Sequence, residues 1–296
     1  MKLTMVALEG NPQVVLVDDS LEHFWLVPDL IPGFQGDMLD LIEHYPDLGA
    51  QLQARGKGAD LATVKMLAPL PRGRRNIFCV GKNYHEHAEE FGKSGFDSST
   101  QSTSHIPDAP VVFTKPFTAV IATGEAIPAH AGVTSQLDYE AEVAVIIGKR
   151  GRGISRAQAM DHVFGYTIIN DFTARDLQKT HKQWHLAKSL DGFCPMGPCI
   201  VTADDVDGGA LDVRCWVNGE LRQEANTRQL IFDIPTLIET ISAGITLHPG
   251  DVIATGTPAG VGIGFNPPRF VQSGDCIRIA VDGIGVLENA VVKDLK

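Results

Sequence analysis

Residues 136–149 read QLDYEAEVAVIIGK, and the run from Ala141 to Ile147 within them has the apolar, β-branched content of a buried strand. Successive side chains of a strand point to opposite faces, so Glu140 and Glu142 share one side while Ala141 takes the other. Two carboxylates held that close repel each other. Burying either one unpaired costs several kcal/mol, so a positive group is expected between them.

Outward from this strand the chain remains strand-rich. "NIFCVG", "PVVFTKP", "GYTIINDFT", "CIVT", "DVRCWVNGELRQE", "GDVIATG" and "CIRIAVDGIGVLENAVV" all favour strands, and Asn218-Gly219 and Asp282-Gly283 are strong hairpin turns. Helices are fewer. One is expected after Asn83, one at Ser155 where "SRAQ" has a capping-box pattern, and one after "DIP" at Pro235. Strands and helices do not alternate regularly, which argues against a doubly wound parallel sheet and for a β-rich, mixed α+β fold.

Residues 1–70 read as a small N-terminal α+β domain, with short β-like runs followed by a helical stretch around "GDMLDLIEHYPDLGAQLQARG". A boundary is placed near residue 70, at "LAPLPRGRRNIFCVG", which leaves 71–296 as the larger domain. The Ser/Thr-rich patch at 94–105, "SGFDSSTQSTSH", reads either as a mobile lid or as a solvated loop.

The 25 Lys and Arg stand against 36 Asp and Glu, a net charge of −11 that disfavours duplex nucleic acid or an anionic membrane as partner. No run approaches the roughly 18 apolar residues of a membrane span, and "MKLTMVALEGNPQ" lacks a signal-peptide core, so a cytoplasmic location is expected. Five cysteines without a C-x-x-C pair fit free thiols packed in a core.

A third acid, Asp171, ends the apolar run in "GYTIINDFTARDLQ". Two carboxylates from one strand and one from a neighbour make an all-oxygen triad suited to Mg²⁺ or Mn²⁺. A solvated sheet edge paired with Lys149 or Arg175 is the alternative at this stage. In "VGKNYHEHAEEFG", His87 and Glu90 stand three apart and share a helix face, so the carboxylate can orient an imidazole that takes a proton from water. His85 cannot share that face, and an ordinary acidic helix surface is the competing reading. Lys188, in "WHLAKSLDGF", can bind an anion or steady a developing enolate. The loop "ATGTPAGVGIGF" offers backbone N–H groups, Gly256 among them, with the hydroxyls of Thr255 and Thr257, to a carboxylate or oxyanion. It is neither a Walker loop nor G-x-G-x-x-G, and no G-x-S-x-G occurs, which disfavours a serine hydrolase.

In this order "GKNYHEHAEE", "DYEAEVAVIIGK", "GYTIINDFTARDLQ", "HLAKSLDGFCPMGP" and "GDVIATGTPAGVG" resemble the fumarylacetoacetate hydrolase (FAH) family over about residues 70 to 296. The resemblance implies a mixed β-roll, β-sandwich-like FAH C-terminal fold, a homodimer, and a lid here spanning roughly residues 83 to 106. It implies that Glu140, Glu142 and Asp171 bind Mg²⁺ or Mn²⁺, that His87 and Glu90 form a water-activating dyad, that Lys188 is the family lysine, and that Gln178 and Thr257 touch substrate. The segment between Glu90 and "PVVFTKP" is longer and more polar than in compact members, so no lid contact is carried over. The expected reaction is hydrolysis of a carbon-carbon bond in a 2,4-diketo acid (an acylpyruvate), releasing pyruvate and a carboxylic acid. Alternatives on the same core are an oxaloacetate-type decarboxylase, a hydroxymuconate-type isomerase and a ureidoglycolate-type lyase. A non-catalytic carboxylate-binding protein is the remote alternative.

Overall fold

The computed structural model describes residues 1–95 and 105–293. At its centre the strand Ala141–Ile147 is buried along its whole length. It pairs antiparallel with Val163–Asn170 on one side and with Val252–Ala254 on the other. Val252–Ala254 runs parallel to Ile77–Gly81, which pairs antiparallel with Val111–Lys115 at the sheet edge. On the opposite flank Val163–Asn170 pairs with Cys194–Thr202, and that strand pairs with Lys2–Leu8. The β-rich, mixed α+β class is therefore as expected, and the first strand of the N-terminal stretch hydrogen-bonds into the same sheet as the central one.

The alternation of Ala141–Ile147 separates two cores. Val143, Val145 and Ile147 pack with Val213, Cys215, Ile277 and Ile279, the inward residues of a second sheet whose order is Glu220–Asn226, Asp212–Val217, Cys276–Val281, Gly285–Val292 and Ile127–Pro128. Ala144 and Ile146 face the other way, toward Met38, Leu41 and Ile42 of the helix Met38–Leu48 and toward Leu3 and Met5. A side chain such as Ile146 is fully buried, so truncating it to alanine is worth about 2–5 kcal/mol of lost packing. Alternation also places Glu142 on the face of Ala144 and Ile146, which makes it a charged interruption of an apolar row.

Local chemistry explains the remaining elements. Asn218 (φ +52) and Gly219 (φ +80) close the hairpin between Asp212–Val217 and Glu220–Asn226 with two positive φ angles, the geometry an Asn-Gly pair favours. Asp233 caps the helix Ile234–Ser242 by accepting from Thr236 N, and Pro235 sits in its first turn. The Ser155 reading is corrected. Residues Arg156–His162 form a 3-10 helix, and the Ser155 hydroxyl donates to Gln158 Oε1 instead of capping. Glu239 from the facing helix accepts from Arg156 N, so the capping-box reading lost to a tertiary partner. Two short helices not read from the sequence, Arg175–His181 and His185–Lys188, follow the Asp171 strand. The centre of the expected lid, residues 96–104, lies outside the described residues. Among the described residues no helix is long and apolar enough to cross a membrane. All five cysteines are free thiols, four of them buried.

Candidate metal centre and proton-transfer dyad

Strand register brings the three acids together. Ala141 lies opposite Asn170, so Glu140 and Asp171 flank the same rung, tied by Asp171 N donating to Glu140 O at 2.8 Å. One ligand oxygen from each of Glu140, Glu142 and Asp171 falls within 4.8 Å of the others, and all three side chains are buried. The positive groups anticipated for these acids are present. Lys188 Nζ lies 2.7 Å from both Glu140 Oε2 and Asp171 Oδ2. Lys115 Nζ lies 2.7 Å from Asp171 Oδ1, and Arg175 Nη2 lies 2.7 Å from Glu140 Oε1. The guanidinium also donates from Nε to Asp138 Oδ2 at 2.8 Å.

Burial raises the Glu140 carboxyl, but Lys188 and Arg175 outweigh it and hold the group at about 2. Glu142 makes no direct ion pair among the described residues, and the charge of nearby Lys188 lowers it only in part. Burial, then the charges of Asp171 and Glu140, push it well above the usual carboxylate range, and the Gly256 N–H at 2.9 Å only partly offsets them. Asp171 Oδ1 is buried without a well-aligned hydrogen bond among the described residues. Three buried carboxylates with converging oxygens, one of them raised for want of a direct ion pair, fit a hard divalent cation such as Mg²⁺ or Mn²⁺.

The dyad is built on the helix His85–Lys93. His87 and Glu90 are one turn apart, and Nδ1 of the imidazole lies 3.2 Å from Glu90 Oε2. Glu90 is fixed from below by the Gly260 N–H at 3.0 Å, and a Cβ on Gly264 would come within 1.6 Å of Glu90 Oε1. The glycines of "TPAGVGIG" thus let the loop close against the dyad. Asn83 donates from Nδ2 to the carbonyls of Thr255 and Phe232, anchoring the start of the motif to that same loop. His85, Glu86 and Glu89 are exposed.

A narrow cleft connects the two groups, lined by His87, Glu140, Glu142, Gln178, Lys188 and Thr257 together with Lys82, Arg175 and the rings of Phe91, Phe113 and Trp184. Every sequence-selected site residue except Glu90, Asp171 and Gly256 lines it, and those three are bonded or ion-paired to residues that do. Gln178 Oε1 accepts from Arg175 Nη1 at 3.0 Å. The Gly256 N–H, expected to face substrate, donates to Glu142 instead. Sequence reasoning passed over Lys115 and Asp138 and took Arg175 only as a possible ion partner. Asp138 had a legible signal, since it continues the alternation of Glu140 and Glu142; a lysine closing the apolar run "PVVFTK" was another.

Comparison with known proteins agrees with this geometry. Residues 76–292 match the family described as fumarylacetoacetate (FAA) hydrolase C-terminal. The oxaloacetate tautomerase YisK of Bacillus subtilis is 53% identical over 232 residues, 78% of this chain and 74% of the relative. Among solved structures, a fumarylacetoacetate hydrolase from Exiguobacterium antarcticum is 40% identical with a TM-score of 0.83, covering 99% of both chains. A maleylpyruvate hydrolase from Sphingobium sp. SYK-6, solved with manganese(II) and pyruvate, is 34% identical with a TM-score of 0.77 over the full length of both chains.

Proposed function

This chain belongs to the fumarylacetoacetate hydrolase family, a family of metal-dependent enzymes, and we propose that it catalyses keto-enol proton transfer on an oxaloacetate-type 2-oxo acid. The observation that carries the reading is the His87–Glu90 contact of 3.2 Å in a cleft walled by the carboxylate triad. Identity of 53% to an oxaloacetate tautomerase sets proton transfer ahead of the carbon-carbon hydrolysis expected from sequence.

Glu140, Glu142 and Asp171 would hold Mg²⁺ or Mn²⁺, whose chemistry is Lewis-acid polarisation of a 2-oxo group. With Nδ1 committed to Glu90, His87 keeps Nε2 to receive a proton. For enol formation the proton leaves C3 of the substrate for His87 Nε2, the C–H electron pair forms the C2–C3 double bond, and a proton is returned to the 2-oxo oxygen. Ketonisation is the reverse. Glu90 orients the imidazole and steadies its positive charge, while Lys188 offsets negative charge developing on the substrate oxygens. Gln178 and Thr257 line the wall that meets the carboxylate end.

Hydrolysis of an acylpyruvate is the second reading, favoured by the two hydrolase relatives. In it His87 takes its proton from water, the hydroxide attacks the distal carbonyl, and the bond to the methylene carbon breaks to release pyruvate and a carboxylic acid. A homodimer belongs to the same proposal on the family resemblance, and a cytoplasmic setting and a boundary near residue 70 belong to it on the sequence pattern alone. The test follows enol absorbance of oxaloacetate and of an acylpyruvate panel with Mg²⁺ or Mn²⁺, then with EDTA. Metal-dependent acceleration of the oxaloacetate equilibrium without release of pyruvate supports the first reading. Stoichiometric pyruvate from an acylpyruvate supports the second, and no metal-dependent change with either substrate defeats both.

A further inference from the structure

Gln223 lies on the strand Glu220–Asn226 of the second sheet, 1% exposed and outside the five motifs that carry the family resemblance. Its amide has a determined orientation. Ala141 N donates to Oε1 at 3.1 Å, which only an oxygen can accept, and Nε2 faces the Pro258 carbonyl at 2.8 Å, which only a donor can meet. The second hydrogen on Nε2 points at Thr257 Oγ1, also at 2.8 Å. Thr257 Oγ1 therefore accepts, and its own hydrogen must be donated elsewhere. Among the described residues this is the one hydrogen bond Thr257 Oγ1 makes, and the side chain lines the cleft beside Glu142 and His87.

Resting on the proposed 2-oxo acid site, we propose that Gln223 is a positioning residue that holds the Thr257 hydroxyl as a hydrogen-bond donor to a carboxylate or 2-oxo oxygen of the substrate. A rotating hydroxyl can present either a lone pair or a proton. Here the amide N–H fills one of the two lone pairs and cannot itself accept, so the hydroxyl proton is turned away from Gln223 and offered to the cleft, the polarity an anion needs. By also gripping Ala141 N, between Glu140 and Glu142, the same amide keeps this donor in register with the carboxylate strand.

The test measures pyruvate binding to the Mn²⁺-loaded protein by calorimetry, together with KM and kcat for oxaloacetate. Gln223→Met and Thr257→Val should each weaken pyruvate and raise KM roughly tenfold with kcat within about twofold, the loss of one hydrogen bond to a charged group. Mn²⁺ affinity without pyruvate should stay unchanged. The double variant should be no worse than either single one, and Thr257→Ser should behave as the parent. Should Gln223→Met fold poorly, Gln223→Glu replaces it: the acceptor for Ala141 N remains but the amide donor is lost, with the same rise in KM expected. Pyruvate binding at parental strength in the Gln223 variants, or losses that multiply in the double variant, overturns the inference. Pyruvate binding by the parent without turnover of oxaloacetate removes the reaction proposed above, while the variant comparison still decides the role of Gln223.

Discussion

The Lys188 ammonium and the Glu140 carboxylate lie 2.7 Å apart and both are buried, with Asp171 at the same distance on the other side of the nitrogen. Removing one member of such a pair leaves an uncompensated buried charge. Lys188→Met should therefore lower the stability of the metal-free protein by roughly 3–5 kcal/mol, read by urea denaturation, and Mn²⁺ should recover part of it. Equal stability of variant and parent without metal would contradict this.

Because three buried carboxylates converge on one point, a divalent cation bound there should stabilise the fold. At a hundredfold excess over its Kd, Mg²⁺ or Mn²⁺ adds about 2.7 kcal/mol. A thermal melt should shift upward with either ion and return with EDTA, whereas Glu142→Gln should blunt the shift.

Metal affinity should depend on pH through Glu142. Its pKa is raised in the metal-free protein by burial and by Asp171 and Glu140, so the neutral form is favoured there, while coordination needs the carboxylate. Metal binding then releases a proton, and affinity weakens as pH falls below the raised pKa, by up to about tenfold per pH unit. Calorimetry in buffers of different ionisation enthalpy reads the released proton; a pH-independent affinity would rule the assignment out.

Loss of the imidazole should cost turnover and not metal. His87→Ala should reduce kcat by about 10²–10⁴-fold with Mn²⁺ affinity close to the parent, since His87 bonds to Glu90 and not to the triad. Glu90→Gln should fall between the two.

Gly264→Ala tests the floor of the dyad. The added Cβ would sit 1.6 Å from Glu90 Oε1, so Glu90 must move. A fall in kcat approaching that of the Glu90 variant is expected, with metal affinity retained.

Much of the site was legible because its parts are local. Period-two alternation in "DYEAEVAVII" and a one-turn spacing in "HEHAEE" determine which side chains share a face, whatever the rest of the chain does. The Asn-Gly hairpin and the Asp233 cap were equally readable, since each partner lies within a few residues. Ser155 misled for the opposite reason: Glu239, distant in sequence, supplied the contact that a local rule had assigned to the hydroxyl.

The sequence by itself determined the acids, the imidazole with its carboxylate, and a β-rich scaffold to carry them. Only the tertiary structure decided which cations stand between the acids. Lys115, Arg175 and Lys188 reach them across strand edges and short helices, and desolvation makes such long-range pairing obligatory once the carboxylates are buried. Gln223 is the extreme case. Nothing in its sequence neighbourhood marks it, because its partners Ala141 and Thr257 meet it only when the two sheets close on one core.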